Sequence, residues 1–529
     1  MHDIVVIGAG HNGMIAATMF AKAGLNTLVL ERADRVGGCA RTAELAPGFR
    51  GPALTHTAAI DPAIVQALAL ERRGLQIVRP DAVVCAPAAG RALTLWRDPQ
   101  RACQEVARFS AKDADRYSAF LETFRRISTV LRAVFKTAPP SIDDPTAGDV
   151  IEFLRTIRAF RALGRADAYR LLRWMPMAVS DLVGEWFESE PLRATVAAGG
   201  VLGSFLGPRS AGSAAVLLLL GASEGHPVAN GWVAKGSTGA VADALAAAAR
   251  EQGVQLRTGA DVVQIDVKDD SAAGAVLASG ERIAARVFVS NADPKRTFGL
   301  VDPAHFDPEF VRRILNLRTR GTLAKVNYAL SGLPRFTSLL PRDASEQLAA
   351  LSGCIRLAPD VDSIERAFDA AKYGGIAGEP WIELTIPSIL DPALAPAGQH
   401  VVSAYVQYAP YKLRSTTWDA QREPLGDITT AAIAGYAPGF ESLVLAREVI
   451  TPLDLERTYG LTGGDIFHGE LALDQLFVAR PLLGYARYET PIRNLFLCGS
   501  GTHPGTGLNG RSGALAATEI IRAIKRSGR

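Results

Sequence analysis

Three glycines and one carboxylate near the start of the chain have the spacing of a dinucleotide-binding turn. Gly8, Gly10 and Gly13 form a GxGxxG pattern, and Glu31 follows Gly13 after eighteen positions. In such a turn the first glycine allows a tight bend, the second lets the backbone approach a pyrophosphate, and the third lets a helix pack closely on a strand. A carboxylate about twenty residues further on accepts hydrogen bonds from ribose hydroxyls. These residues therefore predict binding of a dinucleotide.

The elements needed to position these residues occur in the right order. Residues 3–7 (DIVVI) are apolar and mostly β-branched, which predicts a buried parallel strand. A helix is predicted from the turn through Ala23, and residues 27–30 (TLVL) predict a second strand that ends at Glu31. The N-terminus of the helix supplies free N–H groups and positive dipole character to a phosphate.

A second glycine pair indicates which dinucleotide is expected. Residues 35–42 read RVGGCART and begin four residues after Glu31. This segment resembles the RxGGxxRT segment of flavoproteins in the amine oxidase and carotenoid desaturase superfamily. There the glycine pair lets the backbone pass close to the pyrophosphate, and arginine donates charge-assisted hydrogen bonds to it. The resemblance implies FAD, with candidate contacts from Arg32, Gly37, Gly38, Arg41 and Thr42.

The middle of the chain resembles the superfamily's return to the flavin domain. Residues 231–239 (GWVAKGSTG) lead into an alanine-rich helix predicted over 240–252, and strand-like runs follow at 254–257, 262–267, 274–277 and 286–289. In the family, the valine of a V-x-x-I pattern lies against the adenine through its backbone. Residues 262–265 (VVQI) fit that pattern, so the resemblance implies this role for Val262.

The C-terminal residues predict a further strand, a glycine-rich loop and a helix. Residues 494–499 (NLFLCG) predict the strand, and the helix is predicted over 512–525. The text NLFLCGSGTHPGTGLNG resembles the carotenoid desaturase ending, and residues 463–477 narrow the resemblance to the pyridine nucleotide-disulfide oxidoreductase domain-containing protein 2 group. In flavoproteins of this build the helix N-terminus faces the flavin pyrimidine ring. The candidate contacts are Gly499, Ser500, Gly507 and Leu508.

One position departs from the family pattern. Many relatives have an acidic residue shortly after this strand, where it contacts the ribityl or pyrophosphate region of the flavin. This chain has Ser500 and Gly501 there. We therefore expect backbone amides or the Ser500 hydroxyl to make that contact.

Composition argues against several other classes of protein. The 529 residues are 48% apolar and 21% charged with a net charge of +3, which gives no case for nucleic acid as the main partner. Five scattered cysteines without a CxxC argue against a zinc site or a redox disulfide, so no metal is expected. FAD is expected to bind non-covalently, because no histidine or cysteine lies in a context that resembles a known flavinylation motif; Cys498, on the strand that approaches the flavin, is the weak exception. The chain shows no signal sequence and no long apolar run, which predicts a cytoplasmic protein.

The length of the chain predicts more than one domain. The expected fold class is α/β, with a Rossmann-type FAD-binding domain assembled from the discontinuous segments 1–64, 226–299 and 485–529. The intervening segments are expected to form an α+β substrate domain. Of these, 65–225 is predicted to be largely helical and 300–484 is predicted to contain an antiparallel sheet.

A basic amphipathic stretch lies in the predicted helical segment. Residues 149–173 carry Arg155, Arg158, Arg161, Arg165, Arg170 and Arg173 among large apolar residues. The simpler interpretation is a solvated arginine face over a buried apolar stripe. The alternative is peripheral contact with the anionic inner face of a membrane.

The sequence gives little indication of catalytic residues. In hydride transfer to a flavin the cofactor carries the chemistry, and the protein positions the substrate and supplies the electrostatic environment. His503, His468 and His56 are the titratable candidates, since they lie in or after segments that resemble flavin-binding ones. For each of them the alternative is a histidine that satisfies loop backbone. Lys235 is a weaker candidate, by resemblance to the lysine of amine oxidases that reaches flavin N5 through water.

Three functions are compatible with these features. The first is an FAD-dependent oxidoreductase that desaturates or dehydrogenates a largely apolar small molecule in a mainly apolar pocket, re-oxidised by oxygen, a quinone or another acceptor. The second is an FAD-dependent isomerase or cyclase with no net redox change. The third is a flavin-stabilised interaction protein without essential turnover. NAD(P)H is disfavoured as the electron donor, because the chain has one convincing dinucleotide fingerprint.

Overall fold

The N-terminal glycine turn lies at the end of a five-stranded parallel sheet. The computed structural model describes residues 2–88, 90–142, 145, 147–228, 231–340 and 342–527. The strands of this sheet lie in the order Leu495–Leu497, Ala285–Ser290, His2–Ile7, Thr27–Leu30 and Gln255–Arg257. Ile4 pairs with Val287 on one side and with Thr27 on the other, and all neighbouring strands are parallel.

Both faces of the parallel sheet are covered. Ile4 and Val6 share one hydrophobic core with the helices His11–Lys22, Gly239–Glu251 and Arg511–Ser527. Val5 and Ile7 face a second core, to which an antiparallel sheet contributes the strands Val262–Lys268, Ser271–Leu277 and Arg282–Ile283. Strands buried on both faces are apolar without alternation, which explains the DIVVI run.

The three segments predicted for the FAD-binding domain meet in this sheet, which confirms the Rossmann-type part of the fold class. The helix predicted over 240–252 spans Gly239–Glu251, and the helix predicted over 512–525 spans Arg511–Ser527. The domain boundaries stay predictions. Leu68, Leu70 and Leu75, beyond position 64, pack in the core of this part.

A mixed sheet of seven strands forms the second part of the molecule. Its strands lie in the order Val444–Ile450, Leu323–Leu330, His400–Gln407, Trp381–Thr385, Cys354–Leu357, Ala82–Ala88 and Arg91–Trp96. The pairs are antiparallel except for Cys354–Leu357 with Ala82–Ala88. The antiparallel sheet predicted for 300–484 is confirmed. Segment 65–225, predicted to be largely helical, also contributes two strands to it.

Helices make up most of segment 65–225. They are Pro99–Ala107, Ala111–Phe135, Ala147–Ala162, Gly164–Trp174, Val179–Trp186, Glu190–Ala198 and Ser213–Glu224. The rings of Phe120 and Trp174 meet in their shared core, with centroids 6.4 Å apart. The other helices are Pro62–Ala67, Pro294–Phe298, Pro308–Leu315, Ala344–Leu351, Val361–Lys372, Trp418–Tyr436, Phe440–Leu443 and Pro452–Tyr459.

Two short antiparallel strand pairs complete the fold. Thr42–Ala46 pairs with Phe49–Pro52 and packs on the seven-stranded sheet, while Ile77–Val78 pairs with Val233–Ala234. Within the described ranges, none of the helices combines the length and the hydropathy that a bilayer crossing requires.

Candidate functional site

A cleft runs along the carboxyl ends of the parallel strands, the edge at which open α/β sheets bind ligands. The strands His2–Ile7 and Thr27–Leu30 end at it, and Asn291 follows the strand Ala285–Ser290 there. Eight of the predicted cofactor residues line the cleft: Gly8, Gly10, Glu31, Arg32, Gly38, Arg41, Val262 and Ser500.

The two glycine turns meet at the floor of the cleft. A Cβ on Gly38 would lie 3.2 Å from the Cα of Gly10, and a Cβ on Gly13 would lie 2.3 Å from the carbonyl oxygen of Gly8. Gly37 and Gly38 have φ angles of +120° and +56°, a region that other residues rarely adopt. A side chain here would fill or distort the place where a pyrophosphate approaches the backbone.

Backbone amides fix the carboxylate of Glu31 in the cleft. Oε2 accepts a hydrogen bond from the N–H of Ala9 over 2.8 Å, and Oε1 accepts one from the N–H of Ala33 over 3.0 Å. Each carboxylate oxygen has a second lone pair. Glu31 is therefore held in one orientation and can still accept hydrogen bonds from two ribose hydroxyls.

Three arginines give the cleft positive charge. Arg32, Arg41 and Arg296 all line it. Arg32 donates to the carbonyl oxygen of Thr458 over 2.6 Å, and burial together with the nearby Arg296 lowers its pKa. The guanidinium of Arg41 lies 4.9 Å from the ring centroid of Tyr459. A diphosphate in this cleft would balance the charge of these guanidinium groups.

The remaining predicted cofactor residues lie outside the lining of the cleft. They are Gly13, Gly37, Thr42, Gly499, Gly507 and Leu508. The Thr42 hydroxyl donates to the carbonyl oxygen of Gly236 over 2.9 Å, and Gly499 packs against the backbone of Asn291. The turn Gly507–Asn509 precedes the C-terminal helix. Direct contact between these residues and a cofactor stays a prediction.

Two histidines line the cleft, and the sequence predicted one of them. His468 Nδ1 and His11 Nε2 are buried and have no hydrogen-bond partner among the described residues. Burial lowers the pKa of both rings, that of His11 to about 4. Both rings are therefore neutral at pH 7, and their free nitrogens can bond to a ligand in the cleft.

The candidate His503 does not line the cleft. Its Nε2 lies 3.1 Å from the carbonyl oxygen of Val134, and its ring meets Phe477 edge-on with centroids 5.4 Å apart. Burial lowers its pKa to about 4, so the neutral ring donates its proton to Val134. This arrangement matches a histidine that satisfies backbone. Lys235 is exposed and also lies outside the lining of the cleft.

The candidate His56 belongs to a buried polar cluster on the seven-stranded sheet, formed by His56, Lys325, Arg356, Glu383 and Tyr405. His56 Nε2 lies 3.4 Å from Glu383 Oε1, and His56 Nδ1 lies 3.3 Å from Lys325 Nζ. Arg356 Nε donates to Glu383 Oε2 over 2.7 Å. Lys325 Nζ also lies 4.1 Å from the ring centroid of Tyr405.

The protonation states in the buried polar cluster follow from burial and from this pairing. Burial lowers the pKa of Lys325 well below its ordinary value and that of His56 to about 4. Burial acts to raise the pKa of Glu383, but Arg356 and His56 outweigh it and hold that pKa at about 2. Glu383 and Arg356 thus form an ion pair. Neutral His56 carries its proton on Nε2, towards Glu383, and accepts a hydrogen bond from Lys325 at Nδ1.

A cavity of about 50 Å³ adjoins the buried polar cluster. His56 and Glu383 contribute to a polar wall, while Leu202 and Leu220 contribute to an apolar wall. The pocket was expected to be mainly apolar, and the charged groups of this wall differ from that expectation.

Tyr405 connects the cavity with the cleft. It lines the cavity and shares a small core with Cys39 and Leu461, both of which line the cleft. The buried polar cluster therefore adjoins a small core that also borders the cleft.

Three groups near the cavity also have the types of metal ligands. Ligand atoms of His56, Cys354 and Glu383 lie within 4.8 Å of one another. Arg356 already binds the carboxylate, and Lys325 adjoins the imidazole. The charge of Arg356 opposes the binding of a further cation, and Lys325 already occupies Nδ1 of the imidazole, so these residues fit a hydrogen-bonded cluster better than a metal centre.

Sequence reasoning missed several residues of the site: His11, Asn12, Arg296, Lys325, Arg356 and Glu383. Lys325 and Glu383 each place a charged side chain within a largely apolar strand (LAKVNYAL and WIELT), and such a residue is a visible signal. Arg296 follows the turn at the end of a parallel strand, which is where a cofactor binds.

The residues of the cleft fit FAD. A glycine floor that excludes side chains, a fixed carboxylate, three guanidinium groups and two unpartnered ring nitrogens match a ligand with ribose hydroxyls, a diphosphate and a ring with polar edges. Glu31 and Val262 would hold the adenosine part, and Arg32, Arg41 and Gly38 would lie nearest the diphosphate.

Comparisons with known proteins agree with this fit. The profile of the NAD(P)-binding Rossmann-like domain matches residues 6–69. The chain is 37% identical to pyridine nucleotide-disulfide oxidoreductase domain-containing protein 2 of Rattus norvegicus, over 99% of this chain and 94% of that protein. It is 26% identical to phytoene desaturase (lycopene-forming) of Pantoea ananas, over 98% of each. Cyclohexylamine oxidase from Brevibacterium oxydans IH-35A shares the fold, with a TM-score of 0.58, 16% identity and 99% coverage of both chains.

The fold is that of the FAD-dependent oxidoreductase superfamily, and the chain is an enzyme of that superfamily. Within it, the chain belongs to the family of pyridine nucleotide-disulfide oxidoreductase domain-containing protein 2. The resemblance carried by the glycine segments and by the C-terminal loop is thereby confirmed.

Proposed function

We propose that the cleft binds FAD non-covalently and that the enzyme dehydrogenates or desaturates a largely apolar small molecule. The observation that carries this proposal is the continuity of the site. Tyr405 packs in one small core with Cys39 and Leu461, which line the cleft suited to FAD, and Tyr405 itself lines the small cavity beside His56 and Glu383. When bound, FAD supplies an acceptor for a hydride from a substrate carbon.

The residues of the cavity would orient the substrate and would accept the proton that the substrate releases when it gives up a hydride. Leu202 and Leu220 offer an apolar surface, while His56 offers a neutral imidazole held between Lys325 and Glu383. A substrate that is mainly apolar with one polar group fits both walls. The relative named for phytoene supports an apolar substrate. Oxygen, a quinone or another acceptor would then re-oxidise the enzyme.

Two measurements test this proposal. Flavin should be released from the polypeptide by acid precipitation and should be identified as FAD; flavin that stays on the precipitated chain would contradict non-covalent binding. In an anaerobic screen, a substrate should bleach the flavin absorbance in proportion to product formed. Turnover of a substrate without bleaching would point to an isomerase or cyclase, and would overturn the proposed dehydrogenation.

A further inference from the structure

The helix Ala147–Ala162 turns apolar side chains outward. Five large apolar residues on it each expose between 36% and 57% of their surface: Val150, Ile151, Phe153, Leu154 and Ile157. The inward side of the helix is narrower, and there Ala159 and Phe160 pack against the core of the helical part. The simpler interpretation of the sequence, an arginine face over a buried apolar stripe, is therefore wrong for this helix.

The exposed apolar residues continue on both sides of this helix. Ile142 precedes it, and Tyr169 and Leu172 lie on the next helix, Gly164–Trp174; each of the three exposes 60% or 61% of its surface. We call the eight residues together the 142–172 surface. Soluble proteins rarely leave so many large apolar side chains exposed in one segment, unless the segment binds a partner or a membrane.

Arginines lie among these apolar residues. Arg155, Arg158, Arg161 and Arg165 are all exposed. Arg155 pairs with Glu152 over 2.8 Å, whereas Arg158 and Arg161 form no ion pair with a described residue. At 3.6 residues per turn, Leu154, Arg158 and Arg161 fall on the same side of the helix. A partner for this side must accept apolar side chains and neutralise positive charge together.

The helix of the 142–172 surface that carries Tyr169 and Leu172 is fixed to the rest of the protein by a buried carboxylate. Asp167 is buried and accepts hydrogen bonds from Arg126 and from Arg170, each over 2.6 Å. The bond from Arg126 ties the helix Gly164–Trp174 to the long helix Ala111–Phe135, whereas Arg170 lies on the same helix as Asp167. Tyr169 and Leu172 thus project from a packed part of the protein.

We propose that the 142–172 surface inserts its apolar side chains into an anionic lipid bilayer, with the arginines at the level of the headgroups. Helices with apolar side chains and arginines of this kind bind at the interface of membranes, and each arginine near the surface adds to the attraction. A second copy of the chain fits less well. A two-fold interface would place the arginines of one copy against the same arginines of the other. The inference does not depend on the identity of the substrate.

Vesicle flotation of the FAD-loaded full chain tests this inference. Wild type should float with vesicles containing about 30% phosphatidylglycerol at low salt, and binding should fall about tenfold at high salt or on pure phosphatidylcholine. The variant Phe153→Ser/Leu154→Ser should bind about tenfold less at low salt. The variant Arg158→Gln/Arg161→Gln should bind anionic vesicles about tenfold less at low salt, and the binding that remains should lose most of its salt dependence.

A matched control replaces exposed apolar residues elsewhere on the protein. Leu315 and Tyr373 are 68% and 72% exposed, so Leu315→Ser/Tyr373→Ser should float like wild type. Flavin absorbance and thermal melting check that each variant is folded. Absence of wild-type flotation at low salt, or equal losses in the control and the test variant, would overturn the inference. A wild-type dimer that Phe153→Ser/Leu154→Ser dissociates would instead assign the surface to self-association and would also overturn it.

Discussion

Asn12 Oδ1 accepts a hydrogen bond from the backbone N–H of Gly513 over 3.0 Å, although the two residues are 501 positions apart. Gly513 lies in the first turn of the helix Arg511–Ser527, where N–H groups have no partner within the helix. The other end of the amide, Asn12 Nδ2, donates to the hydroxyl oxygen of Ser500 over 3.0 Å. One buried side chain therefore joins the GxGxxG turn, the C-terminal loop and the C-terminal helix around the cleft.

Removing this amide should weaken both the fold and the cofactor site. In Asn12→Ala the buried N–H of Gly513 loses its acceptor, which should lower the free energy of unfolding by about 1–3 kcal/mol. Urea unfolding of the FAD-loaded protein measures this change. The exposed Asn26 provides the control, because Asn26→Ala should leave the unfolding curve unchanged. Equal stability of Asn12→Ala and wild type would show that the connection contributes nothing.

Glu31 should control retention of FAD. Glu31→Ala removes the carboxylate that faces the cleft, together with the anchors to Ala9 and Ala33, and should purify mostly as apoprotein. Glu31→Gln keeps the shape, but its NH₂ group would meet a backbone N–H, so it should retain an intermediate amount of FAD. The ratio of flavin to protein absorbance measures both effects, since charge-assisted hydrogen bonds contribute about 1.5–3 kcal/mol each.

The exposed Glu71 gives a matched control for these variants. Glu71→Gln should retain as much FAD as wild type. If Glu31→Ala also retained full FAD, the carboxylate would have no part in cofactor binding, and the proposed position of the adenosine would have to be abandoned.

His503 should make the protein less stable in mild acid. Burial lowers its pKa to about 4 in the folded state, whereas an unfolded histidine has a pKa of about 6.5. Between these values the unfolded chain binds more protons than the folded chain, so stability falls as pH falls from 6.5 towards 4. At pH 5 the loss from this one group is about 2 kcal/mol.

His503→Gln should remove that part of the acid sensitivity. Unfolding measured at pH 7 and pH 5 should show a difference about 2 kcal/mol smaller in His503→Gln than in wild type. His305→Gln, at an exposed histidine, should leave the difference unchanged. An identical pH dependence in wild type and His503→Gln would mean that His503 is already protonated in the folded protein at pH 5.

The parallel-sheet part of the fold could be predicted because its signals are local. A short apolar run, a turn with three glycines and Glu31 are close in sequence, so their spacing alone limits the backbone to one arrangement. The same holds for the strand and helix around Gly499. Contacts such as Asn12 with Gly513 could not be predicted, because nothing in the spacing indicates which distant N–H a buried amide will meet.

The histidines show why the active site was harder to predict. His503, His468 and His56 all lie near glycine-rich or flavin-like segments, yet only His468 of the three lines the cleft. His56 meets Lys325 through packing of a loop on a distant strand. The burial of each ring depends on tertiary contacts, and the spacing of residues along the sequence does not indicate those contacts. For the same reason periodicity could not show which face of residues 147–162 points outward.

Lys325 should be required for turnover and dispensable for stability. Its side chain is fully buried in the strand Leu323–Leu330, and burial lowers its pKa well below the ordinary value. A buried amine is costly to the fold, so its presence beside His56 argues for a function. Lys325→Met keeps the length of the side chain without the polar group. We expect equal or greater resistance to urea, together with at least about a hundredfold slower reduction of bound FAD by substrate, the usual contribution of a proton-transfer group.

In wild type, reduction that depends on the neutral amine of Lys325 should be lost as pH falls through the lowered pKa, and Lys325→Met should lack this dependence. Lys268→Met, at an exposed lysine, should match wild type in both assays. Full activity of Lys325→Met, with its pH dependence unchanged, would exclude Lys325 from the reaction.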